Sequence, residues 1–193
     1  MEYKLIRSRR KTLGLEIKLG EVIVRAPLRC PKREIDRFLI SRAGWIAPRL
    51  AASKAEAEKA AASPIGEAEQ EKLKKAAREY LPARAEFYAQ KLGVSFGSIT
   101  VRCQKTRWGS CSKKGALSFN CLLMLAPPEV IDSVVVHELC HLKHFDHSPA
   151  FYADVLAVLP DYRRSEAWLK TEGRALISRA SLQARSQHSL EGE

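Results

Sequence analysis

The chain is poor in methionine, with two, and in aromatic residues, which make up 7%. No apolar run approaches the ~20 residues that a membrane-spanning helix needs, so no membrane contact is expected. No glycine-rich phosphate-binding loop occurs. No C-x-x-C pair occurs either, which argues against a cysteine zinc knuckle. The five cysteines, Cys30, Cys103, Cys111, Cys121 and Cys140, are odd in number. The opening Met-Glu-Tyr-Lys-Leu-Ile-Arg lacks the apolar stretch of a secretory leader. Free thiols in a reducing cytoplasm are therefore expected. No internal repeat is evident.

What is present is ordinary globular material: 193 residues, 46% hydrophobic and 28% charged. That length suffices for one domain, or for a catalytic domain with an appendage. The excess of 33 Lys+Arg over 22 Asp+Glu gives a formal charge of +11. Such a balance favours polyanions, or simply a solvated basic surface. Lys4, Arg7, Arg9, Arg10 and Lys11 cluster near the start. With no base-reading motif, any nucleic-acid affinity is expected to be non-specific and salt-sensitive.

Residues 3–6, 12–18 and 22–26 read as short strands, punctuated by Gly14 and by Leu19-Gly20-Glu21. Pro31 opens a helix over about 32–52, with Ile35, Phe38, Leu39, Ile46 and Leu50 as its apolar stripe. Ser63-Pro64-Ile65-Gly66 breaks the following Ala/Glu/Lys-rich stretch. A second helix, with Pro82 inside it, is expected over about 67–91. Strands follow at 98–103 and 116–120, with 121–125 extending or succeeding the latter and a polar loop at 106–112 between them. Helices are expected at about 129–144, 148–160 and 161–178. The resulting division is a β-rich segment with its helix at 1–66, a catalytic domain at 67–178, and a polar tail at 179–193.

The chemistry concentrates in His137-Glu138-Leu139-Cys140-His141, a His-Glu-x-x-His motif on a helical run. Residues four apart share a helix face, so two imidazoles there can converge on one ion at about 2.0–2.1 Å. Glu138, one step round, can reach a metal-bound water and take its proton. The competing reading is a pair of core histidines with an incidental glutamate.

A catalytic zinc usually takes three protein ligands and leaves a fourth position for water. On a straight helix His144 stands seven residues from His137, about 10 Å along the axis, too far to share the ion. Asp146-His147-Ser148-Pro149 carries cap residues and a first-turn proline, so a new helix starts there and the chain must turn. That turn can swing His147 under the metal. Asp154 and Glu166 are the rival third ligands. Glu166, between Arg163, Arg164 and Lys170, reads first as a surface ion pair. His144 reads as solvated, Asp146 as a cap and Cys140 as core. Arg107, Trp108 and Tyr162 are weaker candidates for substrate contact, each with a packing or surface role as its alternative. Tyr152 and Arg163, like Tyr162, carry donors suited to an oxyanion.

The motif followed by His147-Ser148-Pro149-Ala150-Phe151 resembles the YgjP-like group of metallopeptidase domains, relatives of SprT-like and other small zincin proteases. The likeness extends to Thr106-Arg107-Trp108-Gly109-Ser110-Cys111-Ser112, Ser118-Phe119-Asn120, Ala126-Pro127-Pro128, Leu159-Pro160-Asp161-Tyr162 and Trp168-Leu169. It implies ligands at His137, His141 and His147 and a catalytic carboxylate at Glu138. The 141–147 spacing also looks like the metzincin pattern. His144 stands where that pattern has glycine, and no Met-turn follows, so the chain is not assigned there.

The expected fold is α+β and zincin-like: a small, largely antiparallel sheet packed on the motif helix, with an N-terminal β segment and helices. The expected function is peptide-bond hydrolysis by one zinc ion per chain and a glutamate-activated water. Two alternatives remain: a metal-dependent nucleoside triphosphate pyrophosphatase of the UTP type, which the resemblance also implies, and a nucleic-acid-associated zinc module. The expected partner is a polypeptide, or a nucleotide in the first alternative.

Overall fold

The computed structural model describes residues 2–188, and side chains as far as 181. The chain divides into two compact units, Met1–Pro64 and Ile65–Glu193. The architecture is α+β, as expected.

The first unit has strands β1 (Lys4–Ser8), β2 (Gly14–Lys18) and β3 (Glu21–Pro27), then helices α1 (Lys32–Ser41) and α2 (Ala43–Ala62). The strand order is β1-β3-β2, with β1 parallel and β2 antiparallel to β3. β2 and β3 join through Leu19-Gly20, both at positive φ (49° and 75°), the two-residue turn that matches strand twist. Val22, Val24 and Ala26 alternate inward and pack with Ile35, Leu39 and Ile46 as the core of this unit. The helix expected over 32–52 is two helices. At Arg42 the backbone N–H donates to the Leu39 carbonyl, three residues back, and this tighter turn ends α1.

The second unit opens with the long helix α3 (Glu67–Leu92), which carries Pro82 inside it. It ends at Gly93 in the left-handed conformation, with the Val94 N–H closing on the Ala89 carbonyl. Strands β4 (Ile99–Arg102), β5 (Gly109–Cys111) and β6 (Leu117–Asn120) lead to a short 3-10 helix, Cys121–Leu125. The remaining helices are α4 (Pro128–Cys140), α5 (Pro149–Val158), α6 (Tyr162–Lys170) and α7 (Glu172–His188). The main core lies where α3 and the inner sheet face meet α4, with Leu81, Tyr88, Phe119, Val135, Leu139 and Phe151 buried together. An ion pair fixes α4 on α3. Arg84 holds Asp132 through two bonds of 2.8 and 2.6 Å, and the Tyr88 hydroxyl donates to the same carboxylate.

Several expectations need correction. The sheets are mixed, not largely antiparallel, because in each the first strand lies parallel beside the third. The loop at 106–112 contains strand β5, whose Gly-Ser-Cys has no alternation to betray it; pairing with β6 makes it a strand. The helix expected over 161–178 is broken at Thr171, whose hydroxyl donates to the Ala167 and Trp168 carbonyls. The part of the expected tail at 179–188 is helical in α7, and 189–193 lie outside the described residues. Cys103 and Cys121 are joined in a disulfide rather than free. The cause is register: β4 and β6 pair with an offset of 18, from Ile99↔Leu117 to Arg102↔Asn120, and one more step sets Cys103 opposite Cys121. No helix among the described residues is long and apolar enough to cross a membrane.

Candidate metal centre

α4 starts with Pro128 in its first turn and is apolar over most of its length, which buries it. It ends at Cys140 rather than near 144. His141 caps it but keeps a helical backbone, so His137 and His141 still share a face. Bonds from Leu142 and Lys143 to carbonyls three residues back then tighten the chain. Asp146 accepts from the Ser148 N–H and Ser148 accepts from the Phe151 N–H, which starts α5 at Pro149. The chain thus folds back between 141 and 149, carrying His147 with it.

Nε2 of His137 lies 3.2 Å from Nε2 of His141 and 3.1 Å from Nε2 of His147. Two of the outer nitrogens are engaged elsewhere. His141 Nδ1 donates to the His144 carbonyl at 2.9 Å, so its Nε2 carries a lone pair when neutral. His137 Nδ1 lies 2.8 Å from the Tyr162 hydroxyl. Phe151 packs against all three rings, with centroids 4.7–5.0 Å away. Burial, then the neighbouring His141 and His147, push the His137 pKa down to about 4, which keeps it neutral.

These three residues form a group that could hold a metal ion. Bonds of about 2.0–2.1 Å in a tetrahedron set ligand atoms about 3.3–3.4 Å apart, close to the two nitrogen separations from His137, and all three ligand atoms lie within 4.8 Å of one another. A divalent metal that takes imidazole in tetrahedral geometry fits this donor set.

Glu138 is buried. Burial lifts its pKa to about 7, against the lowering effects of the Arg107 charge and the Cys111 backbone N–H. β5 is the edge of its sheet, and Gly109 lies flush against this carboxylate. A Cβ at Gly109 would stand 2.5 Å from Glu138 Oε1. Glycine is the residue that leaves room.

The other candidates sort as follows. Tyr162 is buried with its hydroxyl at His137, the position of a group that orients a ligand. Arg107 is exposed with its charge felt at Glu138. Trp108 packs beside Gly173, where a Cβ would come within 2.9 Å of its ring. His144 is not simply solvated: it pairs with Asp154 at 3.1 Å, and Lys143 joins that carboxylate at 3.6 Å. Glu166 pairs with Arg163 and Lys170. Arg163 lies over the Tyr152 ring. Sequence reasoning missed Gly109, the Cys111 N–H and the bracing by Phe151. The first two carry no signal outside the likeness of the 106–112 segment.

A buried carboxylate beside converging imidazoles is the arrangement of a metal-dependent hydrolase. A family model described as "YgjP-like, metallopeptidase domain" matches residues 11–71 and 65–172, and the chain belongs to that family. It is therefore a hydrolase of the metallopeptidase class, and the family implies a metal ion. A comparison with curated proteins finds no match. Among solved structures, the chain is similar to the metallopeptidase zymogen abylysin of Pyrococcus abyssi. Identity is 23%, over 48% of this chain and 93% of that one, with a TM-score of 0.45.

Proposed function

We propose that the chain is a zinc peptidase in which His137, His141 and His147 hold one ion and Glu138 is the general base. The observation that carries this reading is the convergence of three Nε2 atoms beside a buried carboxylate. Zinc bound there supplies a Lewis acid that polarises the scissile carbonyl and lowers the pKa of a bound water to about 7. The chain does the rest. A carboxylate with a pKa near 7 is matched to taking the proton of the attacking water and giving it to the leaving amine. The Cys111 N–H and the flat surface at Gly109 fix where Glu138 holds that proton. The His144 carbonyl, which can only accept, fixes the tautomer of His141 with its Nε2 lone pair inward, and the Tyr162 hydroxyl holds the His137 ring through Nδ1.

Metal analysis of protein purified without added zinc should give one ion per chain. Glu138→Gln should keep that ion and lose about 10²–10⁴-fold in peptide hydrolysis. Loss of the metal in this variant, with unchanged activity per remaining ion, would contradict the assignment. Phosphoanhydride hydrolysis of a nucleoside triphosphate is the second reading, favoured by the Arg107 charge at Glu138. A nucleotide panel run beside an unfolded protein substrate separates the two.

A further inference from the structure

The outer face of the β4-β6-β5 sheet carries chemistry that the proposed reaction leaves unused. Inward go Val101, Leu117 and Phe119, into or against the core. Outward, the register sets Thr100, Ser118 and Ser110 in one row across the three strands. These hydroxyls line a groove of about 770 Å³. Its cations are Arg102, Lys105 and Arg107, all exposed. Among the described residues none of the three is held in an ion pair, and no aspartate or glutamate lines the groove. The Gln104 amide donates to Ser118 Oγ, and the Thr100 hydroxyl donates to the Leu117 carbonyl.

The groove adjoins the candidate catalytic centre. Cys111 lines it, and the backbone N–H of Cys111 is the one that meets Glu138. Arg107 lines it too, and its charge acts on the same carboxylate. A ligand lying in the groove therefore lies along β5, the strand whose Gly109 meets Glu138, and its charge must complement three cations.

We propose that this groove holds acidic side chains of a polypeptide, so that the enzyme prefers substrates with Asp or Glu close to the bond it cleaves. The proposal rests on the peptidase reading above. Carboxylates match the guanidinium and ammonium groups that line the groove. A single-stranded nucleic acid would satisfy the cations, but its affinity rests also on aromatic platforms for the bases. No aromatic residue lines the groove.

The test separates binding from cleavage. The probes are a fluorescein-labelled peptide with a run of glutamates and its glutamine counterpart of the same length. Anisotropy is read with zinc-loaded Glu138→Gln protein. The glutamate peptide should bind about tenfold tighter at low salt, the yield of two or three exposed charge contacts. The preference should fade with ionic strength. Combining Arg102→Gln with Lys105→Gln should bring the two affinities together. Lys72→Gln with Lys75→Gln, at exposed lysines of α3, should leave the preference in place. Equal binding of the two peptides, or a preference that survives loss of Arg102 and Lys105, would overturn the proposal. Displacement of the glutamate peptide by a lower concentration of an oligodeoxynucleotide or a nucleoside triphosphate would overturn it as well. Wild-type enzyme loaded with zinc then separates the two readings. Cleavage of both peptides at equal kcat/KM sinks the groove preference and leaves the peptidase. Selective binding with cleavage of neither sinks the peptidase and leaves the groove selective for acidic polypeptide.

Discussion

The two units build their sheets on one plan. In each, the first strand lies parallel to the third and the second lies antiparallel on its other side, giving β1-β3-β2 and β4-β6-β5. In each, a glycine opens the edge strand: Gly14 in β2 and Gly109 in β5. Yet among the described residues the second sheet, not the first, sets a buried carboxylate against its edge glycine. Beside Gly14 lies the end of a flexible side chain, the Arg10 guanidinium; beside Gly109 lies the buried carboxylate of Glu138. The first sheet spends its inner face on an apolar core with α1 and α2. The second is stapled by Cys103–Cys121 and has α4 against its edge strand. A shared topology therefore does not make a site. What is packed against the edge strand does.

The strongest way to break this comparison is to add the same methyl group to both edges. If Glu138 is the general base proposed above, Gly109→Ala should displace it and lower peptide hydrolysis by about 10²–10³-fold, because a base misplaced by an ångström loses much of its contribution. Gly14→Ala should leave activity alone and change stability by no more than about 0.5 kcal/mol, since Arg10 can swing aside. Similar effects from both would show that the edge contact at Glu138 is not special.

Stapling gives the next difference. Oxidised protein unfolded without reductant should titrate three thiols, Cys30, Cys111 and Cys140. Cys103→Ala should lower the unfolding free energy by about 3 kcal/mol, the constraint of a closed loop near this length. Five titrating thiols would remove the staple from the account.

A smaller effect is expected behind the metal centre. Tyr162→Phe deletes the hydroxyl at His137 Nδ1 and should weaken zinc affinity by about 10-fold, with activity restored by excess zinc. Unchanged affinity, measured by competition with a chelator, would reduce Tyr162 to a core aromatic. Least of all should come from the first sheet's cross-strand pair. Glu16 and Arg25 are both more than 40% exposed at 3.1 Å, and breaking the pair should change stability by less than about 1 kcal/mol.

Sequence periodicity is local, and what it governs was legible. The His-Glu-x-x-His spacing sets His137 and His141 on one face of α4 whatever surrounds it, because four residues make about one helical turn. The Ser148-Pro149 start of α5 was readable for the same reason: a cap and a proline act on their own turn. The α+β class followed from alternation in one stretch and helical stripes in another. Tertiary structure alone decided the rest. That β5 is a strand depends on β6, a partner across the hairpin, since Gly-Ser-Cys has no preference strong enough to show. The disulfide follows from a parallel register whose offset equals the cysteine spacing, and register is set by packing between distant residues. That the chain turns before Ser148-Pro149 was legible, but that the turn brings His147 within 3.1 Å of His137 was decided by packing. Glu138 acquires its raised pKa, and Gly109 its necessity, because an edge strand and a helix meet there. The sequence determines which groups are available within one turn of chain. Only the packed fold decides which of them face one another, because burial and close approach are properties of residues far apart in the chain.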